Sequence, residues 1–347
     1  MPVQRSVISL TTPAFSSQDG AVAHLAPLVS DNSSSAPSIS VVGALNFHSA
    51  THPWAADLHL ATPAHAPSEG KPSPSSRICC SFAASISALR VMKHSVAVVG
   101  LLDGTVSAVA LEESNITSSA NTSAAVTALA TENSHVLATT VTGNAQLFDV
   151  SRDFEPVTSE RLWGTAPPSV ARSTPDGVPA PIVHCSLAQG IATCVDARGL
   201  VALYDTRQQT NGGLASYGRA GFIKRARATC AASVGQSVWI GTESGIVDAV
   251  DVRAVSSGGS ALAALQCGHK HSHRVNALAP FKKTVLSASE SGDVIFGDRP
   301  MDPLRAVLDS TDAVHASSSP TAARCVAVVH DSAYVGSALG GRIAVVN

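Results

Sequence analysis

The chain has 347 residues, of which 45% are apolar, 14% charged and 4% aromatic, with a formal net charge of -2. That length suits one large domain, and the scarcity of aromatics leaves small side chains to fill its core. The near-neutral charge excludes a broad attraction to nucleic acid or acidic lipid. No apolar run approaches the roughly 18 residues of a membrane span, so neither direct nucleic-acid binding nor membrane insertion is expected.

In chain order, the opening residues Met1 to Leu10 lack the continuous apolar segment expected of a signal peptide. Val3 to Leu10 alternates loosely and predicts a strand with no hairpin partner nearby. In a closed ring, such a strand completes the last sheet by pairing near Arg342 to Val346, which removes an open edge. Ser30 to Ser40 is serine-rich and reads as a loop. Val41 to Asn46 and Asp57 to Ala61 read as strands of a faint first unit. Residues 62–77 carry Pro63, Pro67, Pro72 and Pro74 and read as a flexible loop.

From Ile78 onward one scheme repeats. The clearest copy is Ile191 to Arg207, where an apolar run, the turn residues Asp196, Arg198 and Gly199, and a second apolar run make a hairpin. A hairpin alone is marginal in water and must bury its faces against others. Similar hairpins span Val96 to Leu111, Val136 to Val150, Val238 to Arg253, Thr284 to Asp298 and Ala333 to Asn347. Each is preceded by a strand-like stretch: Ser87 to Val91, Val126 to Ala130, Ile182 to Leu187, Ala226 to Cys230, Val275 to Ala279 and Cys325 to Val329. The turn glycines recur at roughly 39 to 56 residues, the spacing of propeller blades with variable loops. The expected fold is all-β: one seven-bladed propeller over residues 1–347, with the N-terminal strand closing the last blade and a fainter fourth strand in each unit.

Between the units, Glu112 to Ser123 reads as a polar connection, and Gln208 to Gly218 and Ser256 to Ser260 read as loops. Residues 151–181, with six prolines, read as a long flexible rim loop and the first candidate for a partner-facing element. Gly221 to Arg227 is a small basic cluster that reads as a solvated rim, with an acidic partner or an import signal as the alternatives.

The seven cysteines have neither disulfide nor metal spacing and read as reduced core thiols of a cytosolic or nuclear protein. His269, His271 and His273 alternate, as metal ligands on one strand face would, but no carboxylate or cysteine nearby completes a site. Asp149, Asp205, Asp251 and Asp298 each end a third strand. Arg207 and Arg253 follow two residues after their aspartates, a spacing that pins a turn by charge-assisted hydrogen bonds. Their repetition argues for architecture over catalysis. No nucleophile elbow, phosphate loop or zinc-protease motif is present, so no catalytic residue, cofactor or metal is expected. A hydrolytic propeller using Asp19, Asp57 or Asp103 at the channel is the enzymatic alternative.

With the Asp kept after Phe148, Tyr204, Val250 and Gly297, the units resemble degenerate WD repeats, implying a WD40-type propeller. The resemblance implies that the Gly268-His269 pair is structural, its imidazole meeting Asp293 in a turn of the same blade. Leu200 to Asn211, Glu243 to Arg253, Ser287 to Asp298 and Cys325 to Ala338 are further similar to blades of the small WD-repeat nucleoporin family of the Y-shaped outer-ring complex. That likeness implies a non-enzymatic, monomeric propeller in a hetero-complex, docked on helical scaffold nucleoporins at the nuclear pore in the nucleus. It would support mRNA and protein transport. The alternative is a WD-repeat adaptor of another assembly, a ubiquitin-ligase substrate receptor, chromatin-complex subunit or coat component; Asp205-Thr206-Arg207 and Asp251-Val252-Arg253 also match the blade ends of ubiquitin-ligase receptors.

Overall fold

The computed structural model describes residues 5–9, 20–30, 38–47, 56–62, 75–92, 95–157, 180–207, 214–221, 223, 226–255, 261–296, 299–300, 323–329, 332–337 and 342–346. Strand β1 (Arg5–Ser9) opens the chain. The first sheet is β2 (Gly20–Ser30), β3 (Ser38–Phe47), β4 (Ala56–Thr62) and β5 (Ser75–Phe82). The second is β6 (Ile86–Met92), β7 (Val96–Leu101), β8 (Thr105–Ala110) and β9 (Asn115–Asn121). The third is β10 (Val126–Glu132), β11 (His135–Thr140), β12 (Ala145–Asp149) and β13 (Glu155–Pro156). The fourth contains β14 (Ile182–Ala188), β15 (Ile191–Asp196), β16 (Leu200–Asp205) and β17 (Leu214–Ala220).

The fifth sheet begins with β18 (Ala228–Val234), β19 (Ser237–Thr242) and β20 (Ile246–Asp251). The chain then lends β21 (Ala261–Leu262) back to the fourth sheet, parallel to β17, before β22 (His269–Lys270) finishes the fifth. The sixth is β23 (Val275–Phe281), β24 (Thr284–Ser289), β25 (Val294–Phe296) and β26 (Arg299–Pro300). The last is β27 (Ala323–Val329), β28 (Ser332–Ser337) and β29 (Arg342–Val346), with β1 as its outer strand. Arg5 lies opposite Val346 and Ser9 opposite Arg342, so the first strand seals the final sheet at the place its sequence indicated.

The inner strands β2, β6, β10, β14, β18, β23 and β27 each neighbour the next, and β27 returns to β2. This closes a ring of seven sheets. Among the described residues no strand pairing joins one of these sheets to another. Each inner strand also carries a register shift at the same point, stepping over Ala23, Ser87, Thr127, Val183, Thr229, Asn276 and Arg324. Such bulges bend and twist a strand locally.

The core lies between sheet faces. Leu137 and Leu147 of the third sheet pack with Ile182, Cys194 and Tyr204 of the fourth. Leu25, Val41 and Phe47 of the first pack with Cys325, Tyr334 and Ile343 of the last. Alternation along each strand supplies these faces, and each fully buried Val or Leu contributes roughly 1.5–3 kcal/mol. The turns between second and third strands are also alike. Gly104, Gly143, Gly199, Gly245 and Gly292 have φ of 92°, 75°, 77°, 84° and 81°. Each donates its amide to the residue three before it, at 2.9–3.1 Å. Only glycine takes such a φ without strain, so the hairpin punctuation has a steric cause.

The WD40-type expectation is corrected on three points. The fourth sheet has five strands, one of them parallel, where four antiparallel strands were expected. The first blade has an inner strand, β2, that the sequence reading omitted, and its outer strand β5 takes residues 75–82 from the expected loop and the expected start of the second blade. Outer strands β9 and β17 form where connections had been read. These strands carry mostly polar or small residues, and pairing to a neighbour, which local periodicity does not report, makes them strands. Most of residues 62–77 and 151–181 lies outside the described residues. At residue 155 the chain is already strand β13.

Candidate functional site

The seven inner strands enclose a channel along the ring axis. One end is a cavity of about 470 Å³ and the other a narrower one of about 220 Å³. All seven bulged residues line the narrow end, and Leu25, Arg90, His184 and Leu278 line both. The channel waist lies at these shared residues. The wide mouth is walled by the last residues of the inner strands, including Val91, Leu187, Ser233, Pro280 and Val328. It opens on the face that carries the turns after β12, β16 and β20, because His135, Ile191 and Ser237 at the start of the second strands pair with Asp149, Asp205 and Asp251.

Among the described residues, Arg90 and Arg324 are the cationic residues of the lining, which includes no Asp or Glu. Arg90 Nη1 donates to the Leu89 carbonyl at 2.9 Å, and no carboxylate among the described residues pairs with it. Its side chain is open to the channel yet ringed by protein. That surrounding desolvates the guanidinium and lowers its pKa. Burial, and secondarily the charge of Arg90, push the His24 imidazole down to about 4 and that of His184 down to about 3. Both rings are therefore neutral at pH 7. His184 Nε2 meets Ser233 Oγ at 3.1 Å, and Ser233 Oγ meets Ser186 Oγ at 2.9 Å, linking neighbouring inner strands. Burial likewise raises the Cys185 thiol to about 12, so it is inert. All seven cysteines are free.

Asp205 and Arg207 form a two-pronged pair, with Nε to Oδ1 at 2.8 Å and Nη2 to Oδ2 at 2.9 Å. Asp205 Oδ1 also accepts the Arg207 amide at 3.1 Å. Asp251 and Arg253 repeat the arrangement, with the Arg253 amide at 2.9 Å from Asp251 Oδ1. These hydrogen bonds hold the Asp251 carboxyl at about 2. Both guanidinium groups remain largely exposed. Asp149 caps its turn by accepting from the Ser151 amide and hydroxyl, which lowers its pKa, and Arg152 approaches to 3.7 Å. Asp298 lies outside the described residues.

The expected partnership of His269 with Asp293 takes another form. His269 belongs to the outer strand β22 of the fifth sheet, and its Nε2 meets Ser287 Oγ at 2.6 Å. His271, only 2% exposed, shares that hydroxyl at 2.8 Å. Asp293 instead accepts from Ser291 at 2.5 Å and Ser272 at 3.4 Å. Gly268 is required here, since a Cβ would sit 1.8 Å from the Val247 carbonyl oxygen. Among the described residues no three His, Cys, Asp or Glu groups converge as a metal site, and no helix is long and apolar enough to cross a membrane.

The sequence reading missed Arg90, His24 and His184. Their signal was an ionisable side chain among the apolar and small residues of an inner strand. Asp196, read from the sequence only as a turn residue, is 1% exposed, and its carboxylate accepts the Arg198 and Leu200 amides at 2.8 and 2.9 Å. Of the acids considered for hydrolysis, Asp57 and Asp103 do not line the channel. Asp57 accepts from Ser81 at 2.6 Å, Asp103 holds the Thr105 amide at 2.9 Å, and Asp19 lies outside the described residues.

No family model and no curated protein matches the chain. Among solved structures it is similar to the computationally designed Ika8 protein, with a TM-score of 0.54 and 14% identity over 94% of this chain and 96% of that one. At that identity the likeness speaks for the β-propeller fold alone.

Proposed function

We propose that the chain is a non-enzymatic scaffold gripped by partner proteins, and that its assembly is the outer ring of the nuclear pore, where it docks on helical scaffold nucleoporins. The observation that supports a scaffold is the sealed ring. With β1 closing the last sheet, the turns and rims are what the molecule presents to others. The finer reading rests on the strings that resemble outer-ring blades. Leu200 to Arg207, Glu243 to Arg253 and Ser287 to Phe296 each contain the third strand of one of three successive sheets. Imaging the tagged chain tests it, with a nuclear-rim signal and co-purified outer-ring nucleoporins as the expected result. A diffuse signal with none of them removes the nuclear-pore reading.

The exposed Arg207 and Arg253, repeated on adjacent sheets and one face, favour a second reading as a ubiquitin-ligase adaptor. Co-purification of a cullin adaptor with the wild-type chain, lost in the Arg207→Ala, Arg253→Ala double variant, would select it over the pore.

A further inference from the structure

We propose that the central channel is a binding site for a small organic anion with an apolar body. The anionic head sits at the Arg90 waist and the body fills the wide mouth.

Four observations converge on this ligand. The wide cavity, about 470 Å³, is within the range of small-molecule sites. Its wall offers Leu25, Val91, Leu187, Leu278 and Val328, a surface for hydrocarbon. Arg90 stands where the two cavities meet, with one hydrogen bond to its own neighbour's carbonyl and its remaining N–H donors uncommitted. The nearest carboxylate in sequence, Asp103, holds the Thr105 amide at 2.9 Å, and Glu132 at the end of the neighbouring inner strand β10 accepts from the amides of Gln189 and Gly190.

Arg90 is open to the channel and has no carboxylate partner among the described residues, so an anion placed against its fork gains short charge-assisted bonds. The groups to either side of the waist suit the same ligand. His24 and His184 are neutral near pH 7, and Ser186 and Ser233 supply hydroxyls that donate to an oxyanion without adding charge. Arg324 at the narrow end adds a second positive charge. A cation would meet two arginines and no lining carboxylate. A neutral hydrocarbon would leave Arg90 uncompensated. A bare inorganic ion would leave the apolar mouth unfilled. Carboxylates and phosphate monoesters share the required head group, so the experiment separates them.

Calorimetric titration of the full chain at pH 7 with octanoate and with octyl phosphate tests the assignment, with octylamine, octanol and inorganic phosphate as controls. One-to-one binding of at least one of the two amphiphilic anions is expected, ten-fold or more tighter than any control. The tighter of the two identifies the head group. Arg90→Gln is expected to weaken that binding ten-fold or more while circular dichroism and the thermal midpoint show an intact fold, and Arg90→Lys to restore part of it. Should Arg90→Gln fail to fold, Leu278→Trp fills the mouth without removing the charge, and loss of binding in that folded variant is expected. The assignment is overturned by absence of binding to both anions at millimolar concentration, by octylamine binding as tightly as octanoate, or by full affinity in folded Arg90→Gln or Leu278→Trp.

Discussion

Gly241 shows how closely the sheets approach one another. It sits at the end of β19, and a Cβ there would lie 2.9 Å from Val275 Cβ and 2.8 Å from Cys230 Sγ. Gly100 occupies the corresponding place in β7, against Val126 of the next sheet. Small residues at these junctions let one sheet lie on the next, and flexible side chains are not available to yield. Gly241→Val is expected to destabilise by about 1–3 kcal/mol, the usual cost of overpacking, read as a lowered urea midpoint with unchanged m-value. An unchanged midpoint would mean that the junction relaxes freely. Polar ties complement this packing. Thr229 Oγ1 donates to the Val275 carbonyl at 2.6 Å and Asn276 Nδ2 to the Ala323 carbonyl at 2.9 Å, each from a bulged position to the next sheet. Asn46 exchanges two hydrogen bonds with the Ile86 backbone, at 2.8 and 2.9 Å.

At the scale of elements, the outermost strands are the variable part of the design. Two-residue pieces serve as β13, β22 and β26, whereas β5 has eight residues. The innermost strands are far more uniform, because each must bulge once and wall the channel. Strand β1 is the outer strand that joins the two ends of the chain. Its pairing replaces an exposed β29 edge with a finished sheet and removes an edge that invites aggregation. Deleting residues 1–9 is therefore expected to lower the thermal midpoint by several degrees and to promote concentration-dependent association. Differential scanning calorimetry and light scattering check both. A truncated chain with the full-length midpoint would show that the last sheet does not depend on its borrowed strand.

For the whole molecule, ring closure gathers polar groups that no local stretch assembles. His24, His184 and His271 are each held below the ordinary histidine value, to about 4, about 3 and about 4, chiefly by burial. Below about pH 6.5 the unfolded chain takes protons that the folded one refuses until about pH 4, so stability is complete above 6.5 and falls as acid is added through that window. The urea midpoint should accordingly drop between pH 7 and pH 5, and His271→Gln should flatten that drop. A midpoint that stays level over this range would contradict the burial of these rings. Asp251 acts in a different window. Its depressed carboxyl, at about 2, contributes above the unfolded value of 3.8 and is lost only as pH falls towards 2.

The sequence by itself determined the all-β class, the hairpin scheme and its glycine turns, the Asp–Arg clamps after the third strands, and the role of the first residues as a closing strand. These rest on period-two alternation, φ requirements and two-residue spacings, all of which are local. Tertiary structure alone decided the polar outer strands, the parallel β21, the sharing of Ser287 by two histidines, and the meeting of Arg90 with His24 and His184 along the channel. In these cases the partners come from different sheets or distant loops, and what each side chain does is set by the neighbour that ring closure brings to it.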